Sequence, residues 1–366
     1  MSQLQSKRLL SLDVFRGVTV AAMTVVNNPG SWGHIYSPLE HSAWHGCTPA
    51  DLIFPFFLFI VGVSVVYAME TKKADPVNHS KMIWAALRRA VILIAISLIT
   101  QLIFHPGFAN LRFPGVLQRI GLVFFVCVIL YIKTSQKTRD WITGVLLVGY
   151  YLIVCFVPVP GIGYANLDPE TNMGAWIDRA VFTTNHLWVH SRTWDPEGLL
   201  GTLPAIATGL IGMRAATWLK RTDVDEHVKT SWLFTYGVVA TVLGLAWGLI
   251  FPINKALWTS SFVLYTGGLA IISLAACYWL IDVNGRKKYT SFFVPFGVNA
   301  ITAYVLSMYI PYYIGKLKFK ESSIYQLLFE PYLSPLNASL AYALLMLLLV
   351  WMVVGILYRK KIIIKV

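Results

Sequence analysis

Charge is scarce in this chain. Asp, Glu, Lys and Arg together make up 13% of its 366 residues, against about 25% in a typical soluble domain. Acids are the scarcer sign, 17 against 30 Lys and Arg. So little charge cannot wet the surface of a soluble protein of this length. Cysteine is also rare: Cys47, Cys127, Cys155 and Cys277 show no metal-ligand spacing and no disulfide framework, so no metal is expected. No long linker divides the sequence, and no internal repeat stands out. One domain over 1–366 is therefore expected, and the absent repeat weakens an inverted-repeat transporter reading.

What the chain has instead is apolar residue, 57% of the total, with a mean hydropathy of +0.63. Apolar runs long enough to cross about 30 Å of hydrocarbon as helices recur throughout. They predict an all-α polytopic membrane protein of about ten transmembrane helices, near 10–28, 50–69, 85–104, 114–132, 141–158, 198–218, 231–251, 257–281, 291–314 and 334–358. The first run carries Asp13 and Arg16 and has no small-residue cleavage site after it, so it reads as a span and not a cleaved signal. Most Lys and Arg fall in alternate connections, including Lys7-Arg8, Lys72-Lys73, Arg286-Lys287-Lys288 and Arg359-Lys360-Lys361. By the positive-inside rule this sets both termini in the cytoplasm. The +13 net charge is accounted for by topology and membrane-lipid contact, with no nucleic-acid partner. The connections left outside carry Glu40, Asp168, Glu170, Asp178, Asp195 and Glu197. Such acids serve either as ordinary loop solvation or as an outer vestibule that attracts a cationic amine. The longest connection, 159–197, holds Trp176, Trp188 and Trp194, residues that lie at an interface or stack on a sugar.

Polar groups inside or beside the spans need a reason, because membrane charge costs about 2.5–3.5 kcal/mol per residue on insertion scales. Arg16 lies three residues after Asp13, on one helix face: it forms an ion pair there or meets a phosphate. Arg119, within Pro114-Gly-Val-Leu-Gln-Arg119, has no acid in its own helix, so its partner is another helix or an anion. Thr48-Pro49-Ala50-Asp51 reads as a helix start; Asp51 either caps it or orients a histidine. Asp195-Pro196-Glu197-Gly198 opens a span in the same style. Asn254-Lys255 occupies a tight turn, and Asn299 stands alone in an apolar run. Imidazole is the side chain best suited to proton transfer near neutral pH. His34, His41 and His45 share one outer connection, and composition does not choose among them; the 34/41/45 spacing is weak as a metal site.

Several ordered motifs carry a family likeness. Arg8-Leu-Leu-Ser-Leu-Asp13-Val-Phe-Arg16-Gly17, Val26-Asn27, and His41-Ser-Ala-Trp44-His-Gly46-Cys-Thr48-Pro-Ala-Asp51-Leu-Ile-Phe-Pro55 resemble the heparan-α-glucosaminide N-acetyltransferase family and its bacterial relatives. Pro114-Gly-Val-Leu-Gln-Arg119-Ile-Gly121, Asp195-Pro-Glu-Gly198, Asn254-Lys255-Ala-Leu-Trp258 and Phe296-Gly-Val-Asn299 extend the likeness along the chain. The resemblance implies acetyl transfer from cytoplasmic acetyl-CoA, as co-substrate, to the amine of a glucosamine-type sugar or glycan across the membrane. It implies a multi-pass protein of the bacterial cytoplasmic (inner) membrane, and related proteins imply a homodimer. It selects His41 as general base or acetyl carrier, with Asn27 near the acetyl group and Asp51 as the partner of His41. Arg16, Arg119 and Asn299 are then expected to hold acetyl-CoA, and Asp195, Glu197, Asn254, Lys255 and Trp44 to meet the sugar. The rival is a transporter or flippase for a small polar solute, using the same polar groups without acyl chemistry.

Overall fold

The computed structural model describes residues 9–319 and 321–364; the cations Lys7, Arg8, Lys320 and Lys365 lie outside the described residues. Thirteen helices account for almost all regular structure among them. They are α1 (Leu10–Val26), α2 (Ile53–Lys73), α3 (His79–Phe104), α4 (Val116–Lys133), α5 (Gln136–Phe156), α6 (Met173–Phe182), α7 (Thr202–Leu219), α8 (Glu226–Gly248), α9 (Ser260–Tyr278), α10 (Thr290–Val298), α11 (Ala300–Lys316), α12 (Ile324–Leu328) and α13 (Pro335–Arg359). One two-residue hairpin, β1 (Lys318–Phe319) with β2 (Ser322–Ser323), is the only sheet described.

Seven of these helices, not ten, have the length and apolarity to cross a membrane: α2 with its lead-in turn, α3, α4, α5, α8, α9 and α13. The difference from the sequence expectation has physical causes. α1 is only 17 residues long and carries Asp13 and Arg16. α7 has 18 residues, but its Gly, Thr, Pro and Arg214 dilute its apolar character. The run 291–314 is a broken element: α10 and α11 pass the same test together but meet at an angle of 89°. Large apolar side chains stay exposed along α5 (Trp141, Val145, Val148, Leu152) and α8 (Val238, Val239, Val242, Leu243), the mark of helices that are apolar all round and face lipid.

The chain forms two compact units. The first comprises 1–42, 47–57 and 273–366; the second comprises 43–46 and 58–272. In the first unit α1 lies on α10, with Val20, Ala21, Phe296, Ala303, Val350 and Val354 packed in the core. The approach is close enough that a Cβ on Gly297 would fall 1.8 Å from the Asp13 carbonyl oxygen. Small residues let membrane helices touch through their backbones in this way. The break follows at Asn299, whose backbone departs from helix (φ −112°, ψ 42°) just after Pro295 inside α10. In the second unit α2 and α7 meet by the same device: a Cβ on Gly62 would lie 1.9 Å from the Gly209 carbonyl oxygen.

Candidate active site

In the first unit the segment before α2 builds a histidine–carboxylate pair. Thr48 is extended, Pro49 starts a 3-10 turn over Pro49–Leu52, and the turn feeds α2. Proline suits this first position because its missing N–H would have no helical partner. The Asp51 side chain is fully buried and divides its two oxygens. Oδ2 accepts the N–H groups of Thr48 (3.0 Å) and Ser42 (3.1 Å). Oδ1 lies 2.8 Å from Nδ1 of His41. Thr48 Oγ1 donates to the Glu40 carbonyl at 2.7 Å and ties the residue before His41 to the helix start. Asp51 thus braces the helix start with one oxygen and lies against the His41 ring with the other. A carboxylate that accepts from all these donors fixes the hydrogen on Nδ1 of the neutral ring and leaves Nε2 the acceptor. The imidazole stays 46% exposed, so the tethered ring still faces outward.

Three more of the expected residues, Asn27, Arg16 and Asn299, belong to this unit. Asn27 caps the C-terminal end of α1 through its backbone and is exposed. Arg16 donates Nη1 to Gly297 O at 3.1 Å and lies 3.3 Å from Asp13 Oδ1. Asn299 is buried; its Nδ2 donates to the Ile362 carbonyl (3.2 Å) and its Oδ1 accepts the Ile364 N–H (3.1 Å). The chain after α13 thus occupies the amide at the helix break.

In the second unit Asp195-Pro196-Glu197-Gly198 forms a braced turn ahead of α7. Arg112 binds Asp195 at two points, Nε to Oδ2 at 2.7 Å and Nη2 to Oδ1 at 2.5 Å, and also binds Glu197. Arg119 donates to the carbonyls of Pro196 (3.0 Å) and Gly198 (2.8 Å) and lies over the Trp258 ring. Asp178 accepts the Leu199 N–H at 2.8 Å. Burial works against charge on Arg112, but the two facing carboxylates outweigh it and hold the guanidinium proton above its ordinary range. Asp178, without so close a cation, is pushed by burial up to about 6, against the pull of the Leu199 N–H. Two of the acids read as an outer vestibule, Asp195 and Glu197, are thus paired to an arginine.

Trp44 lies in the same unit. Its Nε1 donates to the Leu167 carbonyl (2.9 Å), and its ring meets Trp194 edge-on at 4.9 Å. A small pocket opens among Trp44, Tyr150, Asn172, Asp178, Trp194 and Asp195. Asn254 is buried; its Oδ1 accepts the Leu257 N–H (2.8 Å), its Nδ2 lies 3.3 Å from His45 Nδ1, and Gly46 N–H donates to the Ile253 carbonyl beside it. Lys255 follows in that turn. Sequence reasoning gave Asp178 only as one of the outer acids and did not single out Arg112 as the partner of Asp195. Both are ordinary loop charges in the sequence, and only the folded connection between α3 and α4 brings Arg112 to Asp195. Among the described residues no group of three His, Cys, Asp or Glu is arranged to hold a metal.

Comparison with known proteins gives the context of this geometry. Residues 8–251 match the family model described as heparan-alpha-glucosaminide N-acetyltransferase, catalytic. The heparan-alpha-glucosaminide N-acetyltransferase of Mus musculus is 31% identical over 84% of this chain, and that of Homo sapiens 29% over 97%. The chain spans little more than half the length of these relatives, 55% and 59%. Through a match that covers most of its length and takes in His41, Asp51, Arg119 and Asp195, this chain belongs to the heparan-alpha-glucosaminide N-acetyltransferase family.

Proposed function

We propose that this protein is a transmembrane acetyltransferase of a bacterial cytoplasmic membrane, moving an acetyl group from cytoplasmic acetyl-CoA to the amine of a glucosamine-type sugar on the far side. The observation that carries the reading is the 2.8 Å pairing of the half-exposed His41 with the buried Asp51; the name of the matching family supplies the reaction class.

Acetyl-CoA supplies an activated acyl carbon and a thiolate leaving group. An attacking amine has to shed a proton as its bond to that carbon forms, and Nε2 of neutral His41 accepts it. Asp51 keeps the ring in the right tautomer and balances the imidazolium. His41 then returns the proton to the departing sulfur, so the residue ends as it began. Asn27 at the end of α1 is the candidate donor to the carbonyl oxygen as charge develops there. Direct transfer is favoured over an acetyl-histidine, because Asp51 holds His41 in the geometry of a base.

The transporter alternative draws on the broken helix α10–α11, a feature of many solute sites. Against it, both amide atoms of Asn299 at the break are already bonded to the chain's own backbone. Proteoliposomes separate the readings. With acetyl-CoA on the cytoplasmic face and glucosamine on the other, the acetyltransferase forms N-acetylglucosamine and releases CoA thiol. A transporter moves solute with no thiol released.

A further inference from the structure

The first turn of α4 contains a side chain that the fold leaves unsatisfied. Gln118 is 6% exposed, and neither its Oε1 nor its Nε2 has a hydrogen-bond partner. Three other side chains share a buried orphan atom. Ser11 lacks a partner for one hydroxyl, while Arg119 and Arg139 each leave only Nε unbonded and donate through their other nitrogens. Among the described residues Gln118 alone leaves two buried side-chain atoms unpaired, a carbonyl oxygen and an amide nitrogen. Native folds rarely keep such a group without a role for it.

The surroundings keep the carboxamide at the helix start. A Cβ on Gly115, the residue that precedes α4, would lie 2.6 Å from Oε1 and 3.2 Å from Nε2 of Gln118. Gly115 is extended, φ 170°, a conformation any residue adopts, so its bare Cα answers the amide beside it and not the backbone. No side chain caps this end of α4, so the orphan amide lies where the positive end of the helix dipole favours a carbonyl oxygen.

We propose that Gln118 takes a secondary amide of a bound ligand. The ligand's N–H donates to Oε1 and its C=O accepts from Nε2, so one planar group satisfies both atoms together. Resting on the acetyltransferase reading, the inference has two sources for that amide: the pantetheine arm of acetyl-CoA, which carries two, and the acetamide created on the sugar. Gln118 is then a ligand-binding residue with no part in the proton movement.

The test compares wild type with Gln118→Met, which keeps the length and removes both polar groups. A ligand role predicts an unchanged or raised melting temperature, because the orphans are gone. It also predicts about a tenfold loss in one of two affinities, the size expected for one good polar contact. A raised KM for acetyl-CoA, matched by a smaller thermal shift with desulfo-CoA, places the pantetheine arm at Gln118. Unchanged donor affinity with about tenfold weaker inhibition by N-acetylglucosamine places the acetamide there. If neither affinity changes, or if only the melting temperature falls, the proposal is overturned and the niche is structural. Gln118→Asn, which keeps the amide but retracts it by one methylene, is the second variant should Gln118→Met fail to fold; the same affinity loss is expected and its absence overturns the proposal. The desulfo-CoA shift needs no turnover. It therefore tests Gln118 even if wild type fails to acetylate glucosamine, a result that would instead sink the acetyltransferase reading.

Discussion

Nδ1 of His41 lies 2.8 Å from Oδ1 of Asp51, while the other oxygen of the same carboxylate holds the backbone of Ser42 and Thr48. One buried acid thus fixes both the start of α2 and the orientation of an imidazole. Asp51→Asn keeps a capping oxygen but removes the charge that balances a protonated ring. Acetyl transfer is expected to fall by about 10²–10⁴-fold, the range for a disabled general base, with a stability loss of about 1 kcal/mol from the weakened cap. Steady-state rates and thermal melts on one preparation check both numbers. A variant that loses stability but keeps its rate would reduce Asp51 to a cap.

Arg112 carries a different load. It faces two carboxylates, and the Asp195 side chain has no exposure at all. Arg112→Ala leaves those charges buried and unpaired, at an expected cost of about 3–5 kcal/mol. Adding Asp195→Asn is expected to recover part of the loss, which a double-mutant cycle by thermal melts will measure. A strictly additive cycle would mean that the pair does not act as a pair.

Asp178 gives the protein a pH signature. Its carboxyl is raised from 3.8 to about 6, chiefly by burial. Between those values the folded chain binds more proton at this site than the unfolded chain, so this contribution to stability falls as pH rises from about 4 to about 6 and is level above. Asp178→Asn keeps an oxygen for the Leu199 N–H and removes the titration. The melting temperature of wild type relative to this variant is expected to decline across that window. A constant difference from pH 4 to 7 would contradict the assignment.

Gly297 is required by contact. A Cβ there meets the Asp13 carbonyl oxygen at 1.8 Å, and that atom belongs to a backbone with little room to yield. Gly297→Ala is expected to cost at least the ~1–3 kcal/mol typical of overpacking. Gly149, with nothing within reach of an added Cβ, is the control: Gly149→Ala should leave the melting temperature unchanged or raise it.

The helices were legible because lipid selects long apolar runs, and each of the ten expected spans coincides with helix. The break at Asn299 within the run 291–314 was not, because a bend between α10 and α11 leaves no mark in an apolar pattern. Asp51 was legible as a helix start from Thr48-Pro49-Ala50-Asp51, but spacing alone left His34, His41 and His45 equal, and only the family resemblance singled out His41. Arg112 with Asp195 was not legible, because 83 residues separate them and only the packed loops bring them together. Asn299 shows the same limit: its partners Ile362 and Ile364 lie beyond α13, with nothing in their residue types to mark them.

The most direct test of the central claim uses purified protein in proteoliposomes with acetyl-CoA and glucosamine, comparing wild type with His41→Ala and reading CoA thiol and N-acetylglucosamine together. The account predicts both products in equal amounts from wild type, and at least a 10²-fold lower rate from His41→Ala with its melting temperature retained. Undiminished acetylation by His41→Ala would contradict it.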